Sequence, residues 1–128
     1  MTLWVVKIGT SLLRGETAAI IEGYARCIAA AMARGDQVVL VTSGAVGLGC
    51  QKLALSSRPD TVVALQAAAA IGQGALMALY ERAMARHGRS VAQVLLTRSD
   101  LADRRRYQNA SGTLRQLLSW GVLPVINE

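Results

Sequence analysis

Short apolar runs alternate along this chain with longer stretches whose apolar residues recur every three or four positions. The runs predict strands at 3–8, 37–41, 91–96 and 122–126. The longer stretches predict helices at 16–34, 45–53, 61–86 and 108–120. In the first helix, for example, Ile20, Tyr24 and Ile28 are spaced at i, i+4 and i+8 and therefore share one face.

The alternation of strands and helices defines the expected fold class. The predicted strands are continuous apolar runs, which is typical of strands covered on both faces. Strand, helix, strand in succession implies right-handed crossovers and parallel pairing. We therefore expect an α/β fold, a three-layer α/β/α sandwich with a mainly parallel sheet. Residues 98–106 are polar and charged, and they are interpreted as a connection without regular structure.

The stretch 61–86 is apolar enough to raise the possibility of a membrane span. Gln66 and Gln73 interrupt it and strand-like segments flank it, so a buried helix of a globular domain is favoured. Glycine inside a helix costs up to about 1 kcal/mol relative to alanine. Gly72 and Gly74 therefore predict the close approach of another backbone, with packing inside the chain favoured over a second subunit.

Composition narrows the function classes. The 128 residues suffice for one domain, and 14 Lys+Arg against 8 Asp+Glu give a net charge of +6. A basic surface attracts phosphate or nucleic acid, and Arg104–Arg106 beside Tyr107 is the candidate nucleic-acid contact, although a solvated loop is favoured. Two cysteines are too few for a disulfide framework, and the N-terminus runs straight into a strand, so a cytoplasmic protein is expected.

Two predicted strands end in turns that combine glycine with hydroxyl residues, at 7–11 and at 42–45. Glycine lets the backbone approach an anion, and amides at the start of a helix favour negative charge. Lys7 adds a point charge beside the first turn. Neither turn is a Walker A loop. Because ligands bind beyond the carboxyl ends of parallel strands, the two turns predict a phosphate site at one sheet edge.

Metal ligation has little support in the sequence. Cys and His pairs with metal-ligand spacing are absent. Asp100 and Asp103 form the one close carboxylate pair, and a solvated turn is favoured for them. His87 is the sole histidine and lies at a helix end, where a cap or surface role is expected.

Five segments together resemble the amino-acid kinase family over the whole chain. They read VVKIGTSLL, VVLVTSGAVGLG, AAIGQ, QVLLTRSDLADRRRYQNASGTL and GVLPVINE. Within the family the resemblance is to the kinases that phosphorylate glutamate. The last two segments are the specific ones, since family members acting on uridylate, carbamate, aspartate or acetylglutamate share the first loop better than these.

The resemblance implies ATP-dependent phosphorylation of the side-chain carboxylate of L-glutamate, which gives glutamyl 5-phosphate for proline synthesis. Magnesium is expected with the ATP, and a homo-oligomer, dimer or tetramer, is expected as the assembly. Lys7 is the implied catalytic residue, stabilising charge on the moving phosphoryl group. The implied site residues are Lys7, Gly9, Thr10 and Ser11 for the ATP phosphates, and Ser43, Gly44 and Ala45 for glutamate.

The resemblance also implies that residues 1–128 are the N-terminal, glutamate-binding portion of a catalytic domain. In the family the sequence INE continues into ND, and the adenine pocket, a second phosphate-contacting lysine and often a PUA domain follow. These residues alone are therefore expected to be inactive. The alternatives are a non-catalytic binding or assembly module of the same fold, another member of the family, and a basic nucleic-acid binder.

Overall fold

A four-stranded parallel sheet lies at the centre of the chain. The computed structural model describes residues 1–9 and 16–127. The elements in these ranges are β1 (Leu3–Ile8), α1 (Thr17–Ala33), β2 (Gln37–Thr42), α2 (Ala45–Lys52), α3 (Val62–Ala85), β3 (Val91–Val94), α4 (Arg98–Ala102), α5 (Arg104–Ser119) and β4 (Leu123–Asn127). The strand order is β1-β2-β4-β3, and every pair is parallel. The predicted strands are confirmed to within two residues at each end.

Helices cover the sheet on two sides, which confirms the three-layer sandwich. Side chains alternate along β2, so Val38 and Leu40 face one layer, where they join the core formed with α1 and α3. Val39 and Val41 face the other side and border α4 and α5. The first layer is the better packed of the two, because the fully buried Ile21, Leu76 and Met84 lie there.

The close approach predicted for the third helix is an α2–α3 contact. A Cβ added to Gly72 would stand 1.6 Å from the carbonyl oxygen of Ala45 and 2.6 Å from the backbone nitrogen of Gly49. At Gly49 an added Cβ would lie 1.8 Å from the carbonyl oxygen of Ala68. The prediction of internal packing is confirmed for Gly72 and is wrong for Gly74, where an added Cβ meets nothing within 4 Å.

The helix α3 is buried along one side only. Its core-facing residues include Leu76, Tyr80 and Met84, whereas Val62 and Val63 at its start are exposed. Among the described residues it is the one helix long and apolar enough to cross a membrane by length and composition, a test that core helices of globular proteins also pass. The interpretation as a buried helix therefore holds for the face that packs on α1, α2 and the sheet.

The segment 98–106 is largely helical, so its prediction as an irregular connection was wrong. The side chain of Thr97 accepts a hydrogen bond from the backbone N–H of Asp100, whose carboxylate in turn accepts from the Thr97 N–H at 2.8 Å. The carboxylate of Asp103 accepts from the N–H of Arg106 at 3.0 Å and starts α5. Asp100 therefore completes the capping box of α4 and Asp103 is the N-cap of α5. The backbone N–H of Thr97 lowers the pKa of Asp100.

The strand β1 lies at the edge of the sheet, and the prediction that both of its faces are covered was wrong. The side chains of Leu3, Trp4 and Val5 are 55%, 47% and 68% exposed. Leu3 and Val5 border an open apolar groove of about 370 Å³ between the sheet and α5, whose Leu114 and Leu118 line the other wall. An apolar run therefore predicts that a segment forms a strand, but the position of that strand in the sheet decides how much of it is buried.

The start of β1 is held by a single carboxylate from the turn before β2. Asp36 accepts hydrogen bonds from the Trp4 indole N–H and the Thr2 backbone N–H, both at 3.0 Å, and lies 3.7 Å from the Arg34 guanidinium. These donors, the Trp4 indole first and the Thr2 amide second, hold the pKa of Asp36 below its ordinary value of 3.8. The contacts fasten the edge strand to its neighbour at the end opposite the turns.

Replacing Gly72 with alanine is expected to destabilise the full-length protein, because the new methyl group meets the backbone of α2. Overpacking of this kind costs about 1–3 kcal/mol. The matched control is Gly74→Ala, which adds the same atom where nothing lies within 4 Å and is expected to stabilise by up to about 1 kcal/mol. Urea denaturation measures both. Equal effects of the two variants would contradict the close contact.

Replacing Asp36 with asparagine is expected to lower the melting temperature at neutral pH. Because the folded-state pKa is depressed, the stabilisation is fully present above the unfolded value, 3.8, and is lost as the pH falls through the folded pKa. The difference between wild type and variant should therefore close below that pH. Melting curves across the acid range test this, with exposed Asp60→Asn as control. A difference in melting temperature that persists unchanged at low pH would show that the charge of the Asp36 carboxylate is not the source of the stabilisation.

Candidate functional site

The strand ends that lead into the two glycine-containing turns lie side by side. The strands β1 and β2 pair in parallel along their whole length, with Lys7 opposite Val41 and Ile8 opposite Thr42. The backbone N–H of Ser43 then donates to the carbonyl of Ile8 at 3.2 Å, one residue past the strand. The pairing therefore brings the starts of both turns to the same carboxyl edge, as the sequence predicted.

The side chain of Lys7 is exposed at this edge. Alternation along β1 places Lys7 on the face of Leu3 and Val5, which is the α5 side of the sheet. Its neighbour Val41 on β2 borders the same side and lies two residues before Ser43. The cation and the second turn therefore belong to adjacent strands and to one region of the edge.

The turn after β2 delivers the chain directly into α2. Gly44 is the N-terminal cap and has φ 106° and ψ 2°, a left-handed conformation that favours glycine. Glycine has no side chain to cap a helix, so the residue at the N-cap of α2 makes no side-chain hydrogen bond to the first amides of the helix. Such amides carry partial positive charge at a helix start and can bind an anion. Ala45 is buried and contacts Gly72 of α3, which sets where α2 begins.

A buried pair of hydroxyl groups stands directly behind this turn. Thr42 is 0% exposed and Tyr80 of α3 is 1% exposed, and their hydroxyl oxygens lie 2.9 Å apart. Burial raises the pKa of the Tyr80 phenol, against the smaller lowering effect of its hydrogen bond with Thr42. Sequence reasoning missed Tyr80, because a tyrosine at helical spacing among apolar residues is indistinguishable from a core residue.

Two half-buried amide side chains near this edge have buried polar atoms without hydrogen-bond partners. Asn127, at the end of β4 and opposite Thr42, has an unpartnered Oδ1 atom. Gln73 has both amide atoms unpartnered and follows Gly72, which contacts Ala45. A buried polar atom left unsatisfied costs about 1–3 kcal/mol. The signal that could have identified these residues is their place in the AAIGQ and GVLPVINE segments.

The structure brings together five of the seven predicted site residues. The described ones are Lys7, Gly9, Ser43, Gly44 and Ala45, all within one residue or one turn of the carboxyl ends of β1 and β2. Thr10 and Ser11 lie outside the described residues. The predicted convergence of the two turns therefore has a structural basis, and the roles of the individual residues remain predictions.

The described residues offer no ready site for a metal ion. Across 1–9 and 16–127 no group of three His, Cys, Asp or Glu side chains lies close enough together to hold one. Magnesium is usually bound by one or two carboxylates together with the phosphates of a nucleotide. The present residues therefore fit a phosphate group better than they fit magnesium.

The fold is shared with small-molecule kinases of known structure. An aspartate kinase from Synechocystis superposes with a TM-score of 0.56 at 16% identity, covering 97% of this chain and 21% of that one. An isopentenyl phosphate kinase superposes with a TM-score of 0.58 at 15% identity, covering 98% of this chain and 56% of the other. At these identities the likeness establishes the architecture alone.

Sequence comparison supplies the family. The model of the amino acid kinase family matches residues 2–128, and the chain belongs to that family. Over its full length it is 93% identical to a protein named glutamate 5-kinase from Synechococcus sp. (strain CC9605) and 80% identical to one from Parasynechococcus marenigrum (strain WH8102). It spans 36% of the length of each of these relatives.

Proposed function

We propose that the protein containing this chain transfers the terminal phosphoryl group of ATP to the side-chain carboxylate of L-glutamate. The names of the relatives that match the whole chain support glutamate as the acceptor. The observation that carries the proposal is the parallel pairing of Ile8 with Thr42, extended by the hydrogen bond from Ser43 to Ile8. It gives two anion-binding turns one common edge.

Lys7 is the residue assigned to the phosphoryl group in flight. Phosphoryl transfer requires alignment of the reacting groups and stabilisation of charge on the equatorial oxygens, more than covalent help from the protein. An exposed ammonium at the strand end can supply that charge. Gly9 follows on the same strand and leaves room for a phosphate beside the backbone, and Thr10 and Ser11 are assigned to the same loop from their motif.

The second turn is assigned to glutamate. The hydroxyl of Ser43 and the amides of Gly44 and Ala45 are donors, and a carboxylate accepts hydrogen bonds from such groups. The left-handed Gly44 lets the turn bring these donors to the start of α2. The buried, unpartnered Oδ1 atom of Asn127, the strand neighbour of Thr42, can accept from an ammonium group, which glutamate also carries.

ATP supplies the phosphoryl group, and magnesium is the expected companion of its phosphates. Since the described residues hold no cluster of metal ligands, magnesium is assigned no step. The product is glutamyl 5-phosphate, an intermediate for proline synthesis. We place the protein in the cytoplasm as a homo-oligomer, with residues 1–128 as the glutamate-binding portion of its kinase domain.

The 128-residue chain and the full-length protein are expected to differ completely in activity. The chain spans 36% of its relatives, so the nucleotide site is proposed to need further residues. A coupled assay of glutamate-dependent ADP release should detect turnover for the full-length protein alone. Turnover by the short chain near 1–100 s⁻¹, the usual range for kinases, would contradict the division of the site. Absence of glutamate-dependent turnover in the full-length protein would contradict the proposed function.

Lys7→Ala and Ser43→Ala are expected to affect different kinetic parameters of the full-length enzyme. Loss of a charge contact made in the transition state lowers kcat by about 100-fold or more. Loss of one hydroxyl from the acceptor site raises the KM for glutamate by about tenfold, the equivalent of one hydrogen bond. Steady-state kinetics with circular dichroism tests both.

The control for the lysine is Lys52→Ala in the last turn of α2, the second lysine of the chain, which should leave kcat unchanged. If the Lys7 and Ser43 variants both lose their folded circular dichroism spectrum, the two residues are structural and the assignment of the site is wrong.

A further inference from the structure

We propose that Tyr80 and Thr42 are positioning residues that orient the peptide group between Ser43 and Gly44, so that the Gly44 N–H faces the carboxylate substrate. The inference rests on the proposed function for the identity of that substrate. It adds a role for the buried face of α3, which carries Tyr80. The orientation of the peptide follows from the contact between Tyr80 and Thr42, the hydrogen bonds of the Ser43 backbone, and the planarity of the Ser43–Gly44 peptide.

The first link is the buried contact between Tyr80 and Thr42. Each hydroxyl has one hydrogen to donate. The Oγ1 atom of Thr42 donates to the carbonyl of Ser43 at 3.3 Å, so its contact with Tyr80 at 2.9 Å is one in which the phenol donates. Burial raises the pKa of that phenol, so it keeps its proton throughout the neutral range.

The second link is the backbone of Ser43, which is held at both ends. Its N–H donates to the carbonyl of Ile8 at 3.2 Å, and its own carbonyl accepts from Thr42. At 3.3 Å the latter is a long hydrogen bond for a hydroxyl donor. This bond still constrains the carbonyl of Ser43, because the donating hydroxyl of Thr42 is held by Tyr80 and has no access to water. The strand neighbour and the helix α3 thus constrain one residue from two directions.

The third link is the planarity of the peptide bond. The bond between Ser43 and Gly44 is trans, so its carbonyl and its N–H point in opposite directions. Since the carbonyl faces buried Thr42, the Gly44 N–H faces away from the buried pair. It therefore joins the amides at the start of α2, where a carboxylate oxygen can accept from it.

Stability alone does not require this pair of hydroxyls. Replacing both partners of a buried hydrogen bond by apolar groups of the same shape is often nearly neutral, whereas removing one partner leaves the other unsatisfied. This asymmetry separates a structural role from a positioning role. The variants Thr42→Val, Tyr80→Phe and their combination keep the shape of the core and remove the hydroxyls singly and together.

The experiment compares these three variants in the full-length protein. Thr42→Val should lower the melting temperature, because the phenol of Tyr80 loses its partner. The double variant should regain most of that loss, yet its KM for glutamate should stay raised by about tenfold with kcat little changed. Tyr80→Phe alone should raise the KM less, since Thr42 still donates to Ser43. Thr113→Val is the matched control, because Thr113 also donates to a backbone carbonyl, that of Asn109 in α5.

Recovery of both melting temperature and KM in the double variant would overturn the proposal, as would an equal rise in KM for Thr113→Val. A crystal structure of the double variant gives a readout independent of activity. A rotated Ser43–Gly44 peptide supports the proposal, and an unchanged peptide overturns it. If the wild-type protein does not phosphorylate glutamate, the proposed function fails, and the peptide orientation still decides whether Tyr80 and Thr42 act on the turn.

Discussion

The parallel pairing of β1 with β2 is the constraint on which the rest of the site depends. The register sets Ile8 against Thr42, and the hydrogen bond from Ser43 to Ile8 carries the pairing one residue beyond the strand. In a parallel pair both strands end at the same edge, so the turns that follow them emerge together. A lysine and a glycine-led helix start, far apart along the chain, become neighbours through this one register.

The helix α3 supports the second turn from behind in two ways. Its Gly72 lets α2 approach so closely that the backbones of the two helices touch at Ala45 and Gly49. Eight residues further along, Tyr80 reaches Thr42 at the end of β2. Backbone contact sets where α2 begins, and the buried hydroxyl pair sets how the peptide before it is oriented. Both act on the turn assigned to the acceptor.

The side of the sheet that faces α5 is less complete than the side that faces α1 and α3. The edge strand β1 exposes apolar side chains there, and an open groove lies between the sheet and α5. The chain that shows these features spans 36% of the length of the first relative. The core under α1 and α3 is closed by contrast, with Leu40, Leu123 and Val125 fully buried.

The sequence by itself determined the strands, most of the helices, the parallel α/β class and the place of the two turns, because hydrophobic periodicity and glycine position act locally. It missed the helices within 98–106, since these start at side-chain caps and carry little apolar periodicity. Tertiary structure alone decided that Gly72 contacts α2 while the Cβ position of Gly74 is open, that β1 is exposed at an edge, and that Tyr80 meets Thr42. Each of these depends on which distant segment lies opposite, and no local pattern specifies that partner.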